Sequence, residues 1–77
     1  MNKMRRNNLQ KIMYALADLK DQIEGIKDAE EEAMENMPES LQESQRYCDM
    51  EEAVDNMDSA IDSLDDAIDY IEGVIGL

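Results

Sequence analysis

Apolar side chains recur every three or four residues along the last third of the chain, and the pattern repeats every seven residues. Split into sevens, residues 50–77 are MEEAVDN, MDSAIDS, LDDAIDY and IEGVIGL. We letter the seven positions a to g, starting with a at Met50. The apolar columns are then a (Met50, Met57, Leu64, Ile71), d (Ala53, Ala60, Ala67, Val74) and e (Val54, Ile61, Ile68, Ile75). This spacing predicts an amphipathic helix over about residues 49–73, with an apolar stripe wide enough for more than one neighbour.

The same spacing in the first half of the chain predicts another helix over about residues 3–36. With a at Leu9, its a and d columns contain Leu9, Ile12, Leu16, Leu19, Ile23 and Ile26, followed by Glu30, Ala33 and Met37. Met13 and Met34 widen the stripe at e, whereas Lys20 and Lys27 interrupt that column. Glu30 occupies an apolar position, either because the stripe ends there and the carboxylate extends to solvent, or because a polar residue fixes the alignment of the helices.

The connection between the two predicted helices, NMPESLQESQRYC, breaks the pattern. Pro38 disfavours helix at Met37 and suits the first turn of a new helix, so a short helix is expected within residues 37–48. Two pairs have the spacing of a capping box, Ser40 with Glu43 and Asp49 with Glu52. The connection exceeds the median length for paired helices, which is compatible with a contact surface or with a plain corner.

These elements predict an all-α fold with a single domain, residues 1–77, in which the two helices form an antiparallel, coiled-coil-like hairpin. Matching the two stripes places Leu9 near Ile75, Leu16 near Ile68, Ile23 near Ile61 and Ala33 near Met50. Two helices alone are expected to leave the e-side columns exposed. We therefore predict that two hairpins pair into a four-helix bundle, as a homodimer or a higher homo-oligomer.

The composition supports association, because a chain of 77 residues buries little surface on its own. The lone Cys48 excludes an internal disulfide, and the absence of histidine removes the commonest zinc ligand. The predicted oligomer core consists of Leu9, Ile12, Leu16, Leu19, Ile23, Ile26, Met57, Ile61, Leu64, Ile68 and Ile71.

Charge is distributed unevenly along the chain. The net charge is −13, of which residues 1–20 contribute +4 and residues 21–77 contribute −17. Such an acidic chain is not expected to bind nucleic acid directly or to bind anionic membranes. There is no apolar run of about 20 residues and no signal-peptide pattern, so a soluble protein of the cytosol is expected.

The residues also disfavour catalysis. Cys48 and the serines have no histidine to act as a base, and there is no glycine-rich phosphate loop. The carboxylates lie on the polar side of the predicted helices and lack the Glu-x-x-His pattern of helical di-iron sites. We predict neither catalytic residues nor a metal site nor a cofactor.

One row of carboxylates follows the outer face of the second helix. This acidic ridge consists of Glu51, Asp55, Asp58, Asp62, Asp65, Asp69 and Glu72. Neighbouring members lie ~5–6 Å apart on a helix, close to the phosphate spacing of a nucleic-acid strand. The ridge is therefore either a phosphate-backbone mimic, which would bind a host protein with a basic surface, or an ordinary solvated face.

The basic N-terminal segment offers a different alternative. Here Arg5, Arg6 and Lys11, with Tyr14 and Tyr70, are the residues that could bind an anionic ligand such as a nucleotide. All the bases of residues 1–20 (Lys3, Arg5, Arg6, Lys11 and Lys20) are also expected beside Asp65, Asp69 and Glu72, where they would simply compensate charge.

The stretches MNKMRRNNLQKI and MPESLQESQRYCDMEEAVDNMDSAIDSLDDAIDYIE resemble small acidic helical proteins encoded by phages and prophages of Gram-positive bacteria. The segment Pro38–Ser44, PESLQES, is the distinctive part. The resemblance implies a viral origin without a settled activity. It favours a role in inhibiting host defences, by binding a protein or by sequestering a signal, because small phage proteins of this kind often do so. Three hypotheses follow: an inhibitor that binds a host defence or nucleic-acid-handling protein, an oligomeric sponge for a nucleotide signal, and a structural self-association module.

Overall fold

The computed structural model describes all 77 residues as two long helices and a short connection. Helix α1 is Lys3–Glu35, a 3₁₀ helix is Glu39–Leu41, and helix α2 is Gln45–Ile75. There are no strands, and α1 and α2 pack against each other to form a rod whose Cα atoms span 59 × 14 × 13 Å. The predicted all-α fold of two packed helices is confirmed.

Local hydrogen bonds define both ends of α1. The Oδ1 atom of Asn2 accepts a hydrogen bond from the backbone N–H of Arg5 at 2.9 Å, which satisfies one of the free amides of the first turn. At the other end, the backbone N–H of Asn36 donates to the carbonyl of Glu32 at 3.1 Å. Pro38 follows in an extended conformation, with φ −57° and ψ 144°, so α1 stops before it.

Helix α2 begins four residues before the predicted start. Its N-cap is Ser44, whose Oγ accepts a hydrogen bond from the backbone N–H of Tyr47 at 3.3 Å and donates one to the carbonyl of Leu41 at 2.6 Å. The capping boxes proposed at Asp49 and Ser40 do not start the helix, because Asp49 lies inside α2 and Ser40 lies inside the 3₁₀ helix. Since Ser44 caps earlier in the chain, the whole of Gln45–Ile75 is available for packing.

The two helices contact each other through their a and e columns. The half-buried or buried members of these columns are Arg6, Leu9, Met13, Leu16, Lys20, Ile23, Lys27, Glu30 and Met34 in α1, and Tyr47, Met50, Val54, Met57, Ile61, Leu64, Ile68, Ile71 and Ile75 in α2. The expectation that the e columns would stay exposed is therefore wrong. The d column of α1 is exposed instead, with Ile12, Leu19 and Ile26 at 49%, 50% and 62% of their full accessibility.

The composition of α2 explains this orientation. Its e column contains valine and isoleucine, whereas three of the four residues in its d column are alanine, so turning e inward removes more apolar surface from water. In α1 the inward e column includes Lys20 and Lys27. Their aliphatic stems cover the seam between the helices while their ammonium groups reach carboxylates of α2.

Two ion pairs between the helices define the antiparallel alignment. The Nζ atom of Lys20 lies 2.7 Å from Oδ1 of Asp65, and Nζ of Lys27 lies 2.6 Å from Oδ1 of Asp58. Seven residues forward along α1 thus correspond to seven residues backward along α2. The alignment predicted from the sequence, which places Ile23 near Ile61, agrees with this one to within one residue.

The hairpin has a thin apolar seam and almost no enclosed core. Ile61, near the middle of α2, is the one residue classed as buried, with 7% of its surface accessible. All other apolar residues of the seam are in contact with solvent on at least one side. A pair of helices has no third layer to cover the seam, so its stabilisation by apolar burial is limited.

Candidate protein-binding surfaces

The acidic ridge lies on one side of the rod, and lysines from α1 interrupt it. The ridge occupies the b and f columns of α2, on the side where the ion pairs cross between the helices. Two of its seven members, Asp58 and Asp65, are paired with Lys27 and Lys20. Lys27 also lies 3.6 Å from Oε1 of Glu31 in its own helix. The ridge is therefore not a continuous row of free carboxylates.

The two lysines are held in their charged form. The pKa of Lys20 is raised above its ordinary value of 10.5 mainly by the hydrogen bond that it donates to Asp65, and desolvation partly opposes this shift. The pKa of Lys27 is raised in the same way by Asp58. Both pairs consequently stay intact throughout the neutral range and neutralise the middle of the ridge.

Negative charge is concentrated at one end of the rod. Residues 28–55, which we call the connection end, contain eleven acidic residues and one basic residue, a net charge of −10. The other 49 residues contain nine acidic and six basic residues, a net charge of −3. The antiparallel fold produces this difference, because it places the acidic end of α1 beside the acidic start of α2. The strongest negative field lies at the connection end.

An open notch of about 380 Å³ is present at the connection end. This acidic notch is lined by Glu31, Met34, Glu35, Tyr47, Glu51, Val54 and Asp55. Four carboxylates and three apolar or aromatic side chains surround one space. Such a lining matches a lysine or arginine side chain, whose aliphatic stem contacts the apolar residues while its charged group donates to the carboxylates.

Only half of the carboxylates in the acidic notch are predicted by the sequence pattern. Glu51 and Asp55 belong to the predicted ridge, whereas Glu31 and Glu35 of α1 were not predicted as binding residues. The signal in the sequence is the run of acidic residues at 30–35, EEEAME. Its significance depends on the fold, because only the antiparallel alignment brings that run beside the start of α2.

The residues predicted as an anion or nucleotide site are not brought together. Arg5, Arg6 and Lys11 fall in three different columns of α1, namely d, e and c. Tyr14 and Tyr70 are 62% and 78% exposed and lie on opposite sides of the rod. Of the basic N-terminal residues expected beside Asp65, Asp69 and Glu72, Lys20 pairs with Asp65, whereas none of the bases at residues 3–11 makes an ion pair. Lys20 and Lys27 supply that compensation nearer the middle of the rod.

The opposite side of the rod bears no charge over most of its length. We call this surface the charge-free flank. It consists of the d and g columns from Asn8 to the C-cap Asn36 in the first half of the chain, and from Ala53 to the C-terminal Leu77 in the second half. Its members are Asn8, Ile12, Ala15, Leu19, Gln22, Ile26, Ala29, Ala33 and Asn36, and Ala53, Asn56, Ala60, Ser63, Ala67, Tyr70, Val74 and Leu77. Charged residues make up 35% of the chain, so runs of nine consecutive members of these columns in α1 and eight in α2 without a charge form a distinct surface. Five of the nine large apolar residues that are exposed lie on it: Ile12, Leu19, Ile26, Tyr70 and Leu77.

Helix geometry places these columns of α1 and α2 on the same side. At about 100° per residue, d and g lie on one side of the inward a and e columns, and b and f lie on the other. Reversing the direction of the second helix mirrors the order of its columns, so equal letters of the two helices face the same way. The ion pairs between e of α1 and b of α2 mark the opposite side, in agreement with this geometry.

Comparisons with protein-family models, with curated proteins and with solved structures found no match to this chain. None of the helices combines the length and the apolar character needed to cross a bilayer. No group of three or more cysteine, aspartate and glutamate side chains has an arrangement that could hold a metal ion. The two surfaces on which a function can be argued are the acidic notch with the surrounding connection end and the charge-free flank.

Proposed function

We propose that this protein is a non-enzymatic inhibitor that binds a basic surface of a host protein through its acidic connection end. The observation that carries the proposal is the acidic notch, which is lined by carboxylates of both helices together with three apolar or aromatic side chains. The resemblance to phage and prophage proteins supports a partner in host defence or nucleic-acid handling. The site is a protein-binding surface rather than a catalytic one.

The charge of the connection end supports recognition of a basic partner. A net charge of −10 on residues 28–55 would steer a positively charged surface toward this end and accelerate association. The acidic notch would then hold a lysine or arginine side chain of that surface. Steering and holding thus involve the same end of the rod, which gives the proposed interface a definite position.

Nucleic-acid mimicry is the form of this proposal that involves the ridge. Carboxylates spaced ~5–6 Å apart along a helix approximate a row of phosphates. Because Lys20 and Lys27 neutralise Asp65 and Asp58, the unpaired carboxylates nearest the connection end, Glu51 and Asp55, are the best placed to act this way. Glu31 and Glu35 would extend the same negative surface onto α1.

Two variants of equal net charge would test the proposal. The notch variant contains Glu31→Gln, Glu35→Gln, Glu51→Gln and Asp55→Asn. The matched control contains Asp62→Asn, Asp66→Asn, Asp69→Asn and Glu72→Gln, at the other end of α2. Each tagged protein would be incubated with lysate of a Gram-positive bacterium, and the captured proteins would be quantified by mass spectrometry with and without competing double-stranded DNA.

We expect the native protein and the control to capture the same basic protein, and the notch variant to capture at least about tenfold less. Competing DNA should release that protein if its nucleic-acid groove is the contact surface. Equal capture by the two variants would contradict the proposal, because it would show that binding follows net charge and not position. Circular dichroism of each variant would establish that the helices are retained.

A second candidate function, self-association into a four-helix bundle, is favoured by a separate observation. The lone hairpin buries a single residue and leaves the charge-free flank uncovered. A homodimer would cover the flank and present two acidic connection ends. Sedimentation equilibrium at micromolar concentration should give the mass of two chains, and a single-chain mass would contradict this candidate.

The nucleotide-sponge alternative has less support. A nucleotide pocket would need the bases and the aromatic rings to converge, whereas Tyr14 and Tyr70 lie on opposite sides of the rod. Only an oligomer that joins several rods at the ends opposite their connection ends would bring the bases and the aromatic rings together. Isothermal titration calorimetry with a panel of cyclic and linear nucleotides would detect such a site, and flat titrations would eliminate it.

A further inference from the structure

We infer that the charge-free flank is the surface on which a second copy of this chain docks, with the connection ends of the two copies at opposite ends of the bundle. This inference rests on the proposed self-association and not on the proposed host partner. It adds the surface, the orientation and the residues that meet across the interface.

The exposed apolar residues of α1 give the first argument. Ile12, Leu19 and Ile26 repeat every seven residues along the charge-free flank and are 49%, 50% and 62% exposed in the hairpin. No charged side chain interrupts the flank from Asn8 to Asn36. A helix face that only contacts water would need no such restriction, because charged residues are the usual occupants of exposed helix positions.

The size of the flank gives the second argument. From Asn8 to Asn36 it is about 43 Å long at 1.5 Å per residue, and the rod is 14 Å wide. Its footprint is on the order of 600 Å², comparable to the ~800 Å² per partner that specific protein interfaces bury. The flank extends along both helices, so a second rod of the same length can cover it.

The charge distribution identifies the occupant and its orientation. The connection end carries −10, whereas residues 1–20, at the other end of the rod, carry +4. Two copies with their connection ends together would concentrate −20 at one end of the bundle. Two copies with opposite orientation place the basic N-terminal segment of each beside the acidic end of the other. The reversed orientation therefore keeps the two ends of charge −10 apart and brings the basic start of each α1 beside the acidic end of the other α1, which favours a second copy in this orientation.

The side chains of the flank are compatible with this arrangement. Reversal about a two-fold axis places α1 against α1 of the second copy and α2 against α2. Leu19 of each copy then lies near Ile26 of the other, and Ile12 lies near Ala33, so these side chains can interdigitate. Ala53, Ala60 and Ala67 permit the two α2 backbones to approach closely. The a, d and e columns of all four helices are covered in such a bundle.

Three alanines of similar exposure permit a matched test of the surface. Ala29→Glu in α1 and Ala60→Glu in α2 introduce a carboxylate on the charge-free flank, and Ala17→Glu introduces the same carboxylate on the opposite side of α1. All three alanines are exposed in the hairpin, so the hairpin itself should tolerate each change equally. Sedimentation equilibrium would give the dissociation constant of each variant, and circular dichroism would check the helices.

We expect a dimer for the native chain and for Ala17→Glu, and at least about a 100-fold rise in the dimer dissociation constant for Ala29→Glu and for Ala60→Glu. A monomeric native chain would overturn this inference together with the proposed self-association, and would leave the flank to a partner of another sequence. A dimer that forms equally well in all three variants would overturn this inference alone.

The single cysteine reports the orientation. Cys48 is exposed, near the connection end, and can carry a nitroxide label without any substitution. Reversed copies would place the two labels about 45 Å apart, from the helical rise between residue 48 and the centre of the flank. A distance below about 25 Å, measured by pulsed electron spin resonance, would overturn the reversed orientation.

Discussion

The two sides of this rod belong to the same two helices, yet the residues that they expose to solvent differ in kind. On the ridge side, carboxylates are abundant and two lysines connect the helices. On the charge-free flank, apolar residues are exposed and no charge is present. The difference shows that the apolar stripe of each helix is wider than the seam of a single hairpin. The excess lies entirely on one side, where a further layer can cover it.

The largest expected effect concerns the seam between the two sides. Ile61→Ala should lower the free energy of unfolding by about 2–4 kcal/mol, because Ile61 is the buried centre of the seam and no neighbour can fill the space that it leaves. Urea denaturation followed by circular dichroism would measure this loss. A loss below about 1 kcal/mol would mean that the helices do not pack through their a and e columns.

The next effect separates a covered flank from an exposed one. Leu19→Ala on the charge-free flank should cost about 1–2 kcal/mol when the protein is dimeric, because Leu19 then becomes buried. In an Ala60→Glu background, which prevents docking, the same substitution should cost less than about 1 kcal/mol. The measurement is again urea denaturation, at one protein concentration for all variants. Equal costs in the two backgrounds would indicate that nothing covers Leu19.

A smaller change, a gain in stability, is expected at the outer edge of α1, between the ridge side and the charge-free flank. Gly25 lies in the c column of α1, and a Cβ atom added there meets no atom within 4 Å. Gly25→Ala should therefore stabilise the protein by about 0.5–1 kcal/mol through the lower entropy of its unfolded chain. This gain corresponds to a rise in Tm of roughly 2–8 °C for a chain of this size. An unchanged or lower Tm would show that another surface contacts this edge of α1.

The smallest effect concerns the ion pairs on the ridge side. The pKa of each lysine is raised in the folded protein, so the stabilisation from its pair is complete below pH 10.5 and disappears as the pH rises through the raised pKa. Above about pH 10.5, Tm should fall more steeply for the native protein than for the double variant Lys20→Met, Lys27→Met. Parallel curves would mean that the pairs do not contribute to stability.

Periodicity predicted much of the fold because helix formation depends on nearby residues. The two helices, the short helix in the connection and the antiparallel alignment all follow from apolar spacing and from Pro38. The start of α2 differs from the prediction because the chain offers two possible N-caps, Ser44 and Asp49. Ser44 is the N-cap in the structure, where its side chain forms hydrogen bonds with the backbone of Tyr47 and Leu41. Such a choice depends on the path of the connection, which local patterns do not specify.

The candidate site was less predictable, because its residues come from distant parts of the chain. The ridge in α2 is visible in the sequence, but its neutralisation by Lys20 and Lys27 joins residues that are 45 and 31 positions apart. The acidic notch likewise requires Glu31 and Glu35 beside Glu51 and Asp55. Conversely, Tyr14 and Tyr70 were predicted to act together with the basic N-terminal segment, whereas the rotation of the helices places the two rings on opposite sides of the rod.

By itself the sequence determined that this chain forms two amphipathic helices, that they fold back on each other, and that charge is unequally distributed along the rod. Only the tertiary structure decided which of two overlapping apolar stripes turns inward. A seven-residue repeat fixes the columns on a helix, but it does not fix the rotation of that helix about its axis, since a/d and a/e seams both include column a. Two features determine the rotation: the valine and isoleucine side chains in the e column of α2 become buried, and two lysines in the e column of α1 form ion pairs with carboxylates of α2. This rotation leaves the d columns for another surface to cover.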